Sequence, residues 1–178
     1  MLNTLHKIFD VGVITEPAKA YSDDELASIG AVLKRTIDER FSGSLAIRQV
    51  DAGSCNGCEL EIHALNNAFY DIERFGIHFV ASPRHADILL VTGPVSRHMQ
   101  QALLTVYAAT PDPKWVVALG TCAADGGEFG FGESYAHLGS VANVLPVDAV
   151  IPGCPPTPMN ILQSLLTLIK GSDSVAAR

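Results

Sequence analysis

Cationic residues, cysteines and long apolar runs are all scarce in this chain of 178 residues, and each scarcity excludes a class of protein. Only 12 Lys and Arg residues stand against 19 Asp and Glu residues, giving a formal net charge of -7. Without a basic block to follow a phosphate backbone, nucleic acid is not an expected partner. The N-terminus lacks a basic segment followed by an apolar run, so a secretion signal is not expected either.

The hydrophobic fraction is high, at 48%. Even so, no run reaches the roughly 18 consecutive apolar residues that a membrane-spanning helix needs. A partner subunit is the simplest cover for the excess apolar surface, because large obligate interfaces resemble a protein core cut in half.

The four cysteines are one close pair, Cys55 and Cys58, and two distant single residues, Cys122 and Cys154. Disulfides are disfavoured because they need an oxidising compartment. A structural zinc site usually takes its thiolates from two close pairs, whereas only one pair is present here. A 4Fe-4S cluster accepts thiolates from distant loops, and a Cys-Pro step is common at the last of them. The pattern favours the cluster over the other two alternatives, which stay open.

Short apolar runs alternate with helical patterns from residue 45 onward, which is typical of a parallel sheet covered by helices. Strands are predicted at residues 45–50, 77–81, 87–91, 115–119 and 149–151. Each cysteine lies a few residues past the end of a predicted strand. Because the carboxyl ends of parallel strands meet at one edge of the sheet, we expect the four thiols to gather there.

Helical patterns precede the sheet and fill the intervals between its strands. Ser22 is the predicted N-cap of a first helix, with Glu25 three residues on, and that helix should end near residues 41–43. A helix opened by the cysteine pair is expected to bury Leu60, Ala64, Leu65, Ala68, Phe69 and Ile72. A third helix is predicted over residues 95–107. The last is expected to bury Ile161, Leu162, Leu165, Leu166 and Ile169.

Three segments follow from this pattern. Residues 1–44 are predicted to form a helical N-terminal extension, in which Leu2, Leu5, Ile8 and Phe9 make a short amphipathic segment. Residues 45–171 form the α/β domain, and residues 172–178 form a small, polar, loose tail.

The loop at residues 120–133 contains five glycines but neither of the glycine patterns that bind nucleotides. We expect it to cover the metal site or to contact a partner.

Four motifs then identify a family by their order along the chain. They are Cys55-x-x-Cys58-Glu59, Ser82-Pro83-Arg84-His85-Ala86-Asp87, Thr92-Gly93-Pro94-Val95 and Pro152-Gly153-Cys154-Pro155-Pro156. Over residues 45–170 the chain resembles the small subunit of nickel-iron hydrogenases. It is most similar to the short, single-cluster form of membrane-bound energy-converting complexes of the formate hydrogenlyase type. That family is homologous to the complex I subunit that carries the terminal 4Fe-4S cluster.

The resemblance implies a flavodoxin-like fold and one 4Fe-4S cluster held by Cys55, Cys58, Cys122 and Cys154. It also implies an electron-transfer role between the nickel-iron site of a large subunit and a ferredoxin-like subunit. Membrane subunits would hold the complex on the inner, cytoplasmic face of the cell membrane. The nickel-iron centre is expected in the large subunit, because all four cysteines of this chain are needed for one cluster.

Glu59 matches an acidic position near the large-subunit interface of hydrogenases, where it would handle protons; an ordinary carboxylate at a helix start is the alternative. Arg84 and His85 match a segment near the quinone cavity of the complex I relative, as do Arg97 and Met99. The alternative for Arg84 is that it pairs with Asp87 or with a helix end.

The first two cysteines decide between the two branches of the family. The complex I relative has adjacent cysteines at this position, whereas Asn56 and Gly57 separate them here. This spacing favours a hydrogenase over a nickel-free, complex I-like oxidoreductase, and a zinc-stabilised interaction domain is the third hypothesis.

Overall fold

The computed structural model describes residues 21–127 and 135–171. Five strands form one parallel sheet: β1 (Leu45–Asp51), β2 (Ile77–Phe79), β3 (Ile88–Thr92), β4 (Trp115–Leu119) and β5 (Ala149–Ile151). Their order across the sheet is β2-β1-β3-β4-β5, with every neighbouring pair parallel. This is the order of flavodoxin-like folds, so the predicted fold is confirmed.

The predicted strands agree closely with the observed ones. Strands β4 and β5 have the predicted bounds, β3 begins one residue later than predicted, and β2 is two residues shorter.

Helices cover both faces of this sheet. They are α1 (Asp23–Arg40), α2 (Gly57–Ala64), α3 (Arg97–Ala109), α4 (Thr121–Asp125) and α5 (Pro158–Gly171). Short 3-10 turns lie at Ile72–Phe75, Pro83–His85 and Val141–Asn143. As predicted, Ser22 caps α1, its side-chain oxygen accepting a hydrogen bond from the Glu25 backbone N–H at 3.2 Å.

Two predictions about helices are wrong in detail. Helix α3 starts two residues later than predicted, because Ser96 caps it by accepting from the Met99 backbone N–H. Helix α2 ends at Ala64, because the Asn67 side chain accepts from the backbone N–H groups of Phe69 and Tyr70 and turns the chain. Three side chains predicted to be buried are exposed: Leu60 at 61%, Phe69 at 46%, and Ala68. Ala68 and Phe69 lie beyond the end of α2, whereas Leu60 lies within the helix on its exposed side.

The core has two halves because successive strand residues point to opposite faces of the sheet. On one face α1, α2 and α5 pack over residues such as Ile47 and Leu90, and on the other α3 packs over residues such as Leu89 and Val91. Helix α1 adds Leu33 and Ile37, both fully buried, to the first half. Helix α1 thus packs against the α/β domain, and the predicted boundary at residue 44 between an N-terminal extension and that domain stays a prediction.

The last helix buries four of its five predicted residues, and Leu166 packs against the core partly buried. The amphipathic segment at residues 2–9 and the tail at residues 172–178 lie outside the described residues. Within residues 21–127 and 135–171, none of the helices has the length and apolar character to cross a membrane.

Candidate metal centre

All four cysteines line one small cavity of about 140 Å³. It lies at the carboxyl ends of the strands, where open α/β sheets bind their ligands. Cys55 and Cys58 follow β1, Cys122 follows β4, and Cys154 follows β5. The remaining lining residues are Ser54, Gly57, Gly93, Thr121, Gly153 and Pro155. The four thiols thus lie together at the edge of the sheet where they were predicted to gather.

The loop between β1 and α2 positions the first two cysteines. Asp51, the last residue of β1, accepts hydrogen bonds from the backbone N–H groups of Gly53 and Ser54, both at 2.8 Å. Asn56 then adopts a left-handed conformation with φ 72°, which asparagine tolerates better than most side chains. The chain thereby reverses direction and places Cys58 in the first turn of α2.

Two backbone hydrogen bonds tie the Cys122 and Cys154 loops together. The N–H of Gly120 donates to the carbonyl of Ile151 at 2.7 Å, and that of Thr121 donates to the carbonyl of Gly153 at 2.8 Å. Since β4 and β5 are neighbours, these bonds extend the strand pairing into the site. The two distant cysteines are thus held by the same register that forms the sheet.

Two glycines leave room for the sulfurs of the site. A Cβ atom at Gly120 would lie 2.6 Å from Cys58 Sγ, and one at Gly127 would lie 2.7 Å from Cys122 Sγ. Both distances are far below an ordinary contact. A larger residue at either position would force the neighbouring sulfur to shift.

The neighbouring thiols disfavour one another's ionisation. Burial, the charge of Glu59 and the other three cysteines raise the pKa of Cys58 to about 12. Burial raises the pKa of Cys122 as well, with contributions from Cys154, Cys55 and Asp125, against one backbone hydrogen bond that lowers it. Four thiolates in this cavity would therefore need a nearby positive charge to offset their mutual repulsion. Metal binding supplies it, because the ligand thiols lose their protons when metal binds.

The donor set suits a thiolate-bound iron-sulfur cluster, since such clusters are held by four Cys thiolates. Cys55 and Cys154 are exposed, and Cys58 and Cys122 are half-buried, so the cavity opens to the surface. Within residues 21–127 and 135–171, no group of three His, Cys, Asp or Glu side chains, the four cysteines included, is arranged to hold a metal ion.

Glu59 lies beside this cavity and is buried, with 5% of its surface exposed. One carboxylate oxygen accepts a hydrogen bond from the Ser54 hydroxyl at 2.6 Å, and the other accepts from the Thr92 hydroxyl. Sequence reasoning missed both hydroxyls. Their only signal was position, since Ser54 precedes Cys55 and Thr92 begins the Thr-Gly-Pro motif.

The other residues singled out by the resemblance lie away from the cavity wall. Arg84 and His85 are at the surface, and Asp87 is engaged elsewhere, accepting from the Ala46 backbone N–H at 2.8 Å. Among the described residues, an Arg84–Asp87 ion pair is absent, so pairing with Asp87 is wrong, while pairing with a helix end stays a prediction. Arg97 Nε donates to the carbonyl of Tyr135 at 2.6 Å. Met99 is half-buried.

Part of the glycine-rich loop, residues 128–134, lies outside the described residues. A larger cavity, of about 480 Å³, lies between β5 and α5, but none of its described lining residues is a cysteine.

Proteins of known sequence are similar to this chain, among them two subunits of oxidoreductase complexes. Formate hydrogenlyase subunit 7 of Escherichia coli is 44% identical over 142 residues, covering 80% of this chain and 53% of that protein. An NADH-quinone oxidoreductase subunit of Citrifermentans bemidjiense is 46% identical over 111 residues, covering 62% of this chain and 64% of that protein. The chain thus spans between half and two thirds of these relatives' lengths.

A solved structure, that of a membrane-bound sulfane sulfur reductase described as an archaeal respiratory membrane complex, contains a chain of the same fold. The TM-score is 0.62 at 32% identity, over 84% of this chain and 78% of that one.

The family model described as the 20 kDa subunit of NADH ubiquinone oxidoreductase matches residues 55–168, from the first cysteine of the cavity into the last helix. With more than half of its residues matched, this chain belongs to that family.

Proposed function

We propose that this protein is the electron-transfer subunit of an energy-converting nickel-iron hydrogenase, and that Cys55, Cys58, Cys122 and Cys154 hold one 4Fe-4S cluster. The observation that carries the proposal is the convergence of all four cysteines, from three separate loops, on one cavity of about 140 Å³. When bound, such a cluster accepts and returns one electron at a time.

The residues of this chain would hold the cluster and set its potential. Cys55 and Cys58 lie at the start of α2, where unpaired backbone N–H groups and the helix dipole stabilise negative charge. Gly120 and Gly127 keep the cavity clear for the sulfurs. Buried Glu59 adds a negative charge, which favours the more oxidised, less negative state of a nearby cluster.

Surface exposure supports docking of a large partner at this edge of the sheet. Cys55 and Cys154 are exposed, and so is Leu60, two residues beyond Cys58. A large subunit with a nickel-iron site would cover this surface, and a ferredoxin-like subunit would exchange electrons with the cluster. Membrane subunits of the complex would hold the assembly on the cytoplasmic, inner face of the membrane.

A complex I-like oxidoreductase without nickel is the second candidate. The 46% identity to an NADH-quinone oxidoreductase subunit and the family description favour it. The two-residue separation of Cys55 and Cys58 by Asn56 and Gly57 favours the hydrogenase.

The sequence of the neighbouring large subunit tests this choice without any protein chemistry. Two C-x-x-C pairs in that subunit would provide the cysteines of a nickel-iron site, whereas their absence would favour the second candidate.

Substitution of one ligand in the assembled complex tests the electron-transfer role. Cys58→Ser should abolish hydrogen-linked activity with the physiological partner, because electrons can no longer leave the nickel-iron site. Hydrogen isotope exchange at that site should survive, because exchange needs protons but no outgoing electrons. Retention of full activity in this variant would contradict the proposal.

Proton handling by Glu59 is a separate proposal. Glu59→Gln keeps the size of the side chain but removes the ionisable group, so a proton carrier would lose both hydrogen-linked activity and isotope exchange while the cluster signal stays. If both activities match the wild type, Glu59 has another role.

A further inference from the structure

The Glu59 carboxylate connects the loop that carries Cys55 to the end of β3. Its hydroxyl partners, Ser54 and Thr92, are distant in sequence, one on each side of the carboxylate. Among the ion pairs between described residues, none includes Glu59. The two hydroxyls are therefore the side-chain groups that stabilise the buried Glu59 carboxylate. Loss of either hydrogen bond would be costly, because a buried carboxylate oxygen would be left without a donor.

Thr92 is the fixed end of this bridge. It is the last residue of β3, which is the central strand of the sheet. It is fully buried and pairs with Asp51 of β1. Its carbonyl also accepts a hydrogen bond from the Ala52 N–H at 3.0 Å. Its hydroxyl also lies 3.4 Å from the carbonyl of Val50, so both main-chain and side-chain atoms hold Thr92 against β1 and the residue that follows it.

Ser54 is the movable end. It lies in the loop that carries Cys55, is partly exposed, and accepts from the Asn56 backbone N–H at 3.1 Å. The two ends are close because Gly93 follows Thr92. A Cβ at Gly93 would lie 2.4 Å from the Ser54 backbone nitrogen. This contact brings the loop against β3, and the hydrogen bonds then define where it stays.

We propose that Thr92 and Glu59 are positioning residues, which fix the Cys55–Cys58 loop against the end of β3 so that both sulfurs face the cavity. The inference rests on the proposed function, since it takes metal binding to be the purpose of the loop. It assigns the hydroxyl of Thr92, which does not line the cavity, a role in holding the metal ligands.

Three variants of the full chain test this role by iron release to a chelator. Thr92→Val removes the hydroxyl at nearly constant volume, and iron should leave roughly ten times faster, because one unmet buried hydrogen bond is equivalent to about a factor of ten in equilibrium. Thr92→Ser keeps the hydroxyl, so its rate of iron release should stay near the wild-type value. Thr110→Val is the matched control, because Thr110 is also buried but its hydroxyl donates to the Val106 carbonyl in α3.

The reduced-state paramagnetic spectrum adds a readout that a merely structural role would not change. Thr92→Val should alter it by displacing a ligand sulfur, while Thr92→Ser and Thr110→Val should match the wild type. If Thr92→Val releases iron at the wild-type rate with an unchanged spectrum, the inference is wrong.

Alkylation of the metal-free chain keeps this test separate from the proposed function. Iodoacetamide should modify Cys58 several times faster in Thr92→Val than in the wild type, because this thiol is half-buried and release of the loop exposes it. A wild type that takes up no iron would contradict the proposed function, yet the alkylation rates would still decide the inference. If Thr92→Val does not fold, Ser54→Ala removes the other hydrogen bond at a partly exposed position and should give the same acceleration; an unchanged rate there would overturn the inference.

Discussion

Addition of one methyl group at Gly120 should strongly weaken metal binding while the chain still folds. The Cβ of Gly120→Ala would lie 2.6 Å from Cys58 Sγ. Since atoms in ordinary contact lie about 3.5–4.0 Å apart, the sulfur would have to move by about 1 Å. Gly120 also has φ 88° and ψ 157°, a conformation in which a side chain costs about 1–3 kcal/mol.

Gly43→Ala is the control for adding a side chain at a positive φ. Gly43 has φ 90°, almost the same as Gly120, but the nearest atom to its added Cβ is Asp38 Oδ1 at an ordinary 3.4 Å. Both variants should lose stability through backbone strain, measured by urea denaturation of the metal-free chain. Only Gly120→Ala should also lose most of its bound iron.

Iron and sulfide analysis of the two variants, purified without oxygen, is the assay. Gly120→Ala should retain less than about half of the iron of the wild type, while Gly43→Ala should retain all of it. Full iron content and an unchanged spectrum in Gly120→Ala would refute the placement of Cys58 as a ligand beside Gly120.

Three further predictions concern charge, ionisation and association. Glu59→Gln should raise the reduction potential of the cluster, because it removes a buried negative charge, and a redox titration followed by paramagnetic resonance checks the sign. In the metal-free chain, the Cys58 pKa of about 12 lies above the ordinary thiol value of 9.0. As the pH rises, the Cys58 thiol therefore loses its proton in the unfolded state before it does so in the folded state. The stability of the metal-free chain, measured by thermal denaturation, should be unaffected by ionisation of this group below pH 9 and should fall as the pH rises from 9 to 12. A stability that increases over this range would contradict the prediction. Leu60→Gln should weaken co-purification of the large subunit without changing iron content, whereas Val150→Thr, at an exposed apolar residue on β5, should leave it unchanged.

The sequence was sufficient to predict the fold and the place of the site. The apolar run at residues 115–119 lies between clear turn signals, so the bounds of β4 follow from pattern alone, whereas β2 and β3 differ from their predicted bounds by one or two residues. Because each cysteine follows a strand and the sheet is parallel, the convergence of Cys55, Cys122 and Cys154 could be predicted before their loops were known. The family prediction is confirmed by the match over residues 55–168.

What the sequence could not reveal depends on one local turn and on contacts between distant segments. The early end of α2 comes from the Asn67 turn, a local hydrogen-bond pattern that competes with the helix and that apolar periodicity does not detect. The Ser54–Glu59–Thr92 bridge joins β3 to the cysteine loop, so its members cannot be paired from spacing. The close approach of Gly120 to Cys58 likewise depends on where β4 lies relative to β1 in the sheet.

Metal analysis of the full chain, purified without oxygen, tests the central claim most directly. Four thiols around one cavity should hold a 4Fe-4S cluster, so the protein should be brown and contain about four irons and four sulfides per chain. Its reduced state should be paramagnetic. One zinc per chain without iron would contradict the account and leave a zinc-stabilised interaction domain in its place.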